Sequence, residues 1–259
     1  LYEHFTKFGL MEGKQASPVF SVVHYLQNNS SVLSKCGNHY TAAMLHYYST
    51  GRNTKGLKTA PAADLGSKFE ATINHTSANI NIGIASTATN TDNNAWNVQT
   101  VAASDTDAKQ IWVFTRNADG SYTLTNKAYP NAAMDTSGVA IADATNIATY
   151  TNTGVDDEHR HWYFFERTPG NYVISPAHSS GKVVDISGGG ITANKNIQLY
   201  TYNYTPAQYY KISILNYTSS TDSIWYKTLT PNDSFTTPLY PSDADKHTLL
   251  SYDNISLEK

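Results

Sequence analysis

The densest run of titratable side chains is Asp156-Asp157-Glu158-His159-Arg160-His161. His159 and His161 are two apart, so on a strand they share a face, and two imidazoles on one face suit a metal ion. The run also stands in register with an aromatic motif that recurs along the chain, and that register makes it the end of a loop and the start of a strand. No metal is expected there. Cys36 is the single cysteine, which excludes an intrachain disulfide and a cysteine-based zinc site. As a nucleophile it would sit in a helical spacer. No spacing singles out a carboxylate pair for hydrolysis. There is no Gly-x-Ser-x-Gly, no His-Glu-x-x-His and no phosphate loop. Gly188-Gly189-Gly190 follows an Asp in a turn and does not open a helix. Nothing in these residues calls for catalysis or for a cofactor, and the chain reads as a recognition protein and not an enzyme.

Composition narrows the partner. The chain has 259 residues, 15% of them charged, with a net charge of −3 and no basic stripe, so nucleic acid is not expected as a partner. Hydrophobic residues at 40% and aromatics at 12% are enough for a core. No apolar run approaches the roughly 20 residues that span a bilayer, so membrane insertion is not expected, and no signal peptide stands at Leu1. Tyrosines number 19 against 8 phenylalanines. An apolar ring with a polar tip suits strands and half-wet binding surfaces. A low-charge chain rich in Asn, Thr, Ser and Tyr, without disulfides, reads as a bacterial secreted or surface protein.

The elements that position these side chains follow from an internal repeat. Gln110-Ile111-Trp112, Arg160-His161-Trp162 and Gln208-Tyr209-Tyr210 place an aromatic at intervals of 50 and 48 residues. Upstream of each lies a second match: Trp96-Asn97-Val98-Gln99-Thr100-Val101, Thr145-Asn146-Ile147-Ala148-Thr149-Tyr150, and Lys195-Asn196-Ile197-Gln198-Leu199-Tyr200. Tyr122-Thr123-Leu124 and Tyr172-Val173-Ile174 form a third, each leading to an Asp, Asp135 or Asp185. These runs alternate or are β-branched, and Gly, Asn, Pro and Ser clusters separate them. Three units of about four short strands predict a closed, all-β architecture with pseudo-threefold symmetry. In that setting each motif aromatic fills a shared core, and the Gln amide satisfies backbone groups in the bend before it.

The Gln-x-Trp motif once per unit, together with Ser180-Gly181-Lys182-Val183-Val184-Asp185-Ile186-Ser187-Gly188-Gly189, resembles the ricin-B-type β-trefoil lectins over residues 69–215. The resemblance implies a carbohydrate-binding module whose sites each use an Asp, a Gln or Asn, and an aromatic. Sugars offer hydroxyls at their edges and apolar C–H on a face, which such a set can grip. Carried over by position, the third lobe has Asp185, Gln198 and Tyr200, with Ala207 where the family has an Asn and Tyr202, Asn203 and Tyr204 as possible replacements. The second lobe has Asp135 and Tyr150, with Ala148 in place of Gln and His159 as a substitute donor. The first lobe has Val101 for the aromatic and no Asp near Gly83, so no sugar is expected there. Asp135 and Asp185 also precede turns they could cap. The implied partners are glycans or host glycoproteins. The alternative is a host protein gripped by a Tyr-rich surface whose sugar sites have eroded.

Outside the trefoil, residues 1–56 read as helical, 57–68 as a linker, and 216–259 as a β-rich extension broken by Pro231, Pro238 and Pro241. Ser17-Pro18 predicts an N-cap and first helical position, Gly37 and Gly51 read as stops, and Asn38 reads as the cap of a helix carrying Tyr40, Ala43, Met44, Tyr47 and Tyr48. That aromatic stripe is expected in a core. His4-Phe5-Thr6-Lys7-Phe8-Gly9 aligns with His46-Tyr47-Tyr48-Ser49-Thr50-Gly51 at a period of 42 residues. Leu1 would then fall part-way through a unit of a longer protein. The pattern from Tyr25-Leu26-Gln27-Asn28 to Gly51-Arg52 resembles short helical repeats of secreted proteins from Gram-positive gut bacteria, with Ser30-Ser31 where those carry Pro-Asp. The expected fold is therefore mainly β: a β-trefoil behind a small helical repeat and before a β extension.

Overall fold

The computed structural model describes residue 9 and residues 12–15, 17–153 and 158–217. The repeat copy at 4–8, the carboxylates Asp156 and Asp157, and the extension beyond 217 lie outside the described residues.

Twelve strands form the β domain: β1 (Lys68–His75), β2 (Ile80–Asn90), β3 (Ala95–Ala102), β4 (Ile111–Arg116), β5 (Tyr122–Asn126), β6 (Ala132–Thr136), β7 (Thr145–Thr151), β8 (His161–Thr168), β9 (Asn171–Pro176), β10 (Lys182–Ile186), β11 (Ile197–Thr201) and β12 (Tyr210–Tyr217). β1, β4, β5, β8, β9 and β12 pair in that cyclic order, antiparallel throughout, and close a six-stranded barrel. The hairpins β2–β3, β6–β7 and β10–β11 close one end of it. They join one another at Asn97↔Ala148, Asn146↔Gln198 and Asn196↔Gln99. This is the architecture of a β-trefoil, with four strands per unit.

The motif aromatics sit where the repeat predicts. Trp112 and Trp162 are 0% exposed and Tyr210 is 1% exposed. Each must also satisfy its polar atom on burial. Trp112 Nε1 donates to the Ile82 carbonyl at 2.9 Å, and Trp162 Nε1 to that of Met134 at 3.1 Å. The Tyr210 hydroxyl donates instead to the Ala207 carbonyl at 2.9 Å. The stacked pair Phe69 and Phe114 packs beside Tyr122 and Phe164 in the same core.

Among the described residues, three short α-helices precede the barrel: α1 (Val22–Asn28), α2 (Ser30–Cys36) and α3 (Tyr40–Ser49). They enclose a core of their own, in which Phe20 stacks on Tyr47 with ring centroids 4.0 Å apart. Cys36 is buried there. The aromatic stripe divides: Tyr47 is buried, and Tyr48 is 51% exposed. Three local readings are corrected. The cap of α1 is Ser21, whose Oγ accepts from the His24 amide at 3.3 Å, and not Ser17. Ser17 precedes the helix by a turn, because Val19 is held in a cluster with Ala60, Phe165, Val173, Val183 and Tyr209. The N-cap of α3 is His39, not Asn38, and it makes no side-chain cap bond. Gly37 does stop α2 with a φ of 56°. Gly51 is no left-handed stop: Thr50 is the C-cap, and a Cβ at Gly51 would collide with the Tyr25 hydroxyl.

Residues 57–67 run along the barrel with their own contacts. Ser21 N donates to the Thr59 carbonyl at 2.8 Å, and Ala63 N to that of Phe164 at 2.7 Å. Leu65 N donates to the Tyr122 hydroxyl at 2.8 Å. The Tyr47 hydroxyl reaches the Ser180 carbonyl at 3.4 Å, so the helical unit touches the third lobe directly.

Candidate functional site

Each cap hairpin sets its candidate residues by strand alternation. Asp185 pairs with Gln198 and Val183 with Tyr200 across β10–β11, so the carboxylate, the amide and the ring share one face. Asp185 is 5% exposed, Gln198 8% and Tyr200 36%. Gln198 Nε2 donates to one carboxylate oxygen of Asp185 at 3.1 Å, and Gln208 Nε2 to the other at 3.0 Å. Gln208 also donates to the Thr201 carbonyl at 3.1 Å and accepts from Asn203 N at 3.0 Å. The motif glutamine thus satisfies the bend, as expected, and orients the carboxylate as well. Burial raises the Asp185 pKa above its ordinary value, against the lowering effect of the two amide bonds. Both oxygens are held by side chains across the lobe, not by the turn that follows. That turn, Ser187–Gly189, places Gly188 at φ 72°.

A carboxylate with one lone pair per oxygen engaged keeps the other for incoming hydroxyl donors. Tyr200 supplies a half-exposed ring beside it. Ala207 is 3% exposed in the barrel core and offers no polar contact. Of the three residues that could replace it, Asn203 has its side-chain oxygen engaged by the Thr205 amide and hydroxyl, while Tyr204 stands 56% exposed and its ring lies 4.4 Å from that of Tyr202.

The second lobe uses the same positions differently. Asp135 pairs with Ala148, Ala133 pairs with Tyr150, and Asp135 is 7% exposed. Arg160, in the motif glutamine's place, donates from Nε to Asp135 Oδ2 at 2.8 Å. Its guanidinium carbon lies 5.5 Å from the centroid of the Tyr150 ring. His159 Nε2 approaches the same carboxylate oxygen at 3.4 Å. Asp135, Tyr150 and His159 are therefore brought together, with a cation at their centre. The sequence carried a signal for this in Arg at a Gln position. His161 is the first residue of β8 and is buried. No cluster of metal-ligating side chains occurs among the described residues.

In the first lobe Gly83 pairs with Gln99 and occupies the Asp position. A Cβ there would lie 3.0 Å from Val101 Cγ2 and 3.2 Å from Gln110 Cγ, so the space is already filled. Gln110 turns instead to Asn81, which donates to its Oε1 at 3.0 Å, and to the Ser104 amide at 2.9 Å.

Residues 108–200 match a sequence family described as ricin-type beta-trefoil lectin domain-like. No curated protein sequence matches the chain. Among solved structures, the designed threefold-symmetric protein ThreeFoil aligns at 18% identity with a TM-score of 0.51, covering 56% of this chain and 99% of its own. The Macrolepiota procera ricin B-like lectin in complex with lactose aligns at 17% identity and a TM-score of 0.47, covering 58% of this chain and 99% of its own. The Rhizoctonia solani agglutinin aligns at 15% and 0.49, covering 60% of this chain and 100% of its own. The likeness to ThreeFoil shows the β-trefoil fold.

Proposed function

We propose that this chain is a carbohydrate-binding, non-enzymatic module of a larger secreted or surface protein of a bacterium, which grips glycans through the third lobe of its trefoil. The observation that carries this reading is the Asp185 carboxylate, oriented through both oxygens by Gln198 and Gln208 beside the half-exposed Tyr200. The ricin-type family match over 108–200 supports it. So does the absence of an assignable hydrolytic carboxylate pair in the sequence. The secreted, bacterial setting rests on composition: few charges, many Asn, Thr, Ser and Tyr, and no disulfide. In the second lobe Arg160 already engages Asp135, so that lobe adds little sugar affinity in this reading.

One observation favours a second reading, a protein-binding module. Two of the three lobes lack an open carboxylate, Gly83 standing in one and Arg160 covering Asp135 in the other. Exposed tyrosines such as Tyr48 and Tyr204 are suited to a protein interface.

A glycan array run on the purified chain beside Asp185→Ala and Asp135→Ala decides between them. The expected result is binding lost in Asp185→Ala with the circular dichroism unchanged, and retained in a folded Asp135→Ala. A folded wild-type chain with no glycan signal at high concentration overturns the lectin reading, and pull-downs from host secretions then test the protein partner.

A further inference from the structure

The helical unit brings a cation to the third lobe. Arg52 follows α3 in a short turn (Gly51–Asn53), and its backbone is stapled to the β9–β10 loop. The Arg52 carbonyl accepts from Gly181 N at 3.0 Å and from the hydroxyls of Ser179 and Ser180 at 3.4 Å each. Its aliphatic stem lies over Gly181, where a Cβ would come within 3.2 Å of Arg52 Cβ and 3.3 Å of Cγ and Cδ. A Cβ at Gly181 would press on that stem, and the backbone there has no positive φ to call for glycine. The stem is therefore packed against the loop, and the guanidinium has no carboxylate and no hydrogen-bond acceptor among the described residues. Buried or half-buried arginines are ordinarily paired.

Arg52 lines a groove between the helical unit and the lobe. A cavity of about 180 Å³ is lined by Tyr48, Arg52, Gly181, Thr201, Tyr202 and Tyr204 among others, with no Asp or Glu in its wall. A second cavity, of about 290 Å³, continues past Arg52 and Thr201 to Lys182. That lysine is already committed at 2.6 Å to Asp143, which also accepts from Thr201 N and Oγ1, so of the two cations lining these cavities Arg52 is the one without a carboxylate among the described residues. One wall residue of the groove, Thr201, lies next to the candidate sugar site through its backbone carbonyl. Gln208 Nε2 touches both the Asp185 carboxylate and the Thr201 carbonyl, which puts the two within roughly 6 Å, two hydrogen-bond lengths.

We propose that Arg52, with Tyr48 and Tyr204, forms a second subsite that holds the anionic group, a carboxylate or a sulfate ester, of an acidic sugar linked to the one gripped at Asp185. The proposal rests on the third-lobe reading above for the neighbouring sugar. The guanidinium fork matches a carboxylate or sulfate in two parallel hydrogen bonds, and the tyrosines supply ring faces and hydroxyls for the sugar that carries it. The helical unit is then part of the binding surface and not a spacer alone.

The test uses the full chain and Arg52→Gln on an array of matched glycan pairs: galactose-terminated oligosaccharides, the same capped with N-acetylneuraminic acid, and the same sulfated. The expected result is a preference of about tenfold or more for an acidic member at low salt, falling as salt rises. That preference collapses in Arg52→Gln, while binding of the neutral member persists. Comparing the sialylated and sulfated members assigns the anion. An unchanged acid-to-neutral ratio in Arg52→Gln, or no acidic preference in the wild type, overturns the subsite. A second measurement separates this from failure of the third lobe: the Arg52 Nε–H resonance is titrated with free N-acetylneuraminate and with neutral N-acetylglucosamine, in the wild type and in Asp185→Ala. A response to the acid alone, kept in Asp185→Ala, supports the subsite even if the array is silent. No response overturns it.

Discussion

Asn97 donates from Nδ2 to Oδ1 of Asn196 at 2.9 Å, across 99 residues of sequence. Asn196 in turn donates to Asn146 at 2.8 Å, and Asn146 to Asn97 at 3.0 Å. The three amides form a closed ring on the pseudo-threefold axis, one from each cap hairpin, where the hairpins meet. Each amide gives one N–H and takes one, so each depends on both neighbours. The ring ties together the strand pairs that carry Gln99, Ala148 and Gln198, and with them the face that bears the candidate site.

Breaking that ring should be cooperative. Asn146→Ala leaves a donor on Asn196 and an acceptor on Asn97 without partners, and is expected to destabilise the fold by about 1–3 kcal/mol. A second alanine, Asn97→Ala in the same chain, should add less than it removes alone, because the ring is already open. Urea denaturation of the single and double variants measures the difference. Strict additivity would show the three bonds to be independent.

Gly51 gives a second test, in the helical unit. Burial pushes the Tyr25 phenol up to about 12, and its hydroxyl shares a hydrogen bond of 2.8 Å with His46 Nδ1. That hydroxyl fills the space a Cβ at Gly51 would need. Gly51→Ala is expected to cost about 1–3 kcal/mol through overpacking. In the Tyr25→Phe background, with the hydroxyl gone, the same substitution should cost clearly less. Equal costs in both backgrounds would place the requirement for glycine elsewhere.

The parts of the molecule that were legible in the sequence are those fixed by periodicity. The recurrence of Trp112, Trp162 and Tyr210 located the three core aromatics; Asp185, Gln198 and Tyr200 were named through the family resemblance, and the β10–β11 register puts them on one hairpin face. What was hidden depends on convergence in space. Asn97, Asn146 and Asn196 recur at the second position of the aligned hexapeptides, but the recurrence alone does not say that the three side chains meet on the axis. Two serines, Ser17 and Ser21, precede the same apolar run, and the docking of Val19 on the barrel decides which one caps. Arg160 was visible as a departure from Gln, but its pairing with Asp135 depends on the register of β6 against the turn before β8.

That pairing yields a third prediction. Arg160→Ala leaves the buried Asp135 carboxylate without its 2.8 Å partner and is expected to destabilise the fold by about 3–5 kcal/mol. Arg160→Gln keeps a donor in place and should cost less. Adding Ala148→Gln to it gives the second lobe the same three residue types as the third, and avidity for a glycan-coated surface should rise with the second site. Surface plasmon resonance on dense and sparse glycan layers separates a new site from a change in the old one. No density-dependent gain would mean that the second lobe lacks more than its amides.

Asp185 supplies the last prediction, and its sign follows from burial. Its pKa is raised above the ordinary 3.8, so the folded state holds the proton more tightly than the unfolded chain does. The stability it contributes is present below the unfolded value and is lost as pH rises through the raised folded value. Asp185→Asn, which keeps the shape without the buried charge, should therefore melt higher than wild type at neutral pH, provided that Gln198 turns its amide to accept from the new NH₂. That advantage should vanish on acidification below the ordinary carboxylate range. Glycan binding moves the opposite way, because sugar hydroxyls donate to the ionised form. In the wild type, binding should fall on acidification at a pH above that of an ordinary aspartate, and in Asp185→Asn it should be lost at every pH. Differential scanning calorimetry and array binding across the same pH series read the two trends. A melting point that falls in Asp185→Asn at neutral pH would mean that the two amide bonds outweigh the burial of the charge.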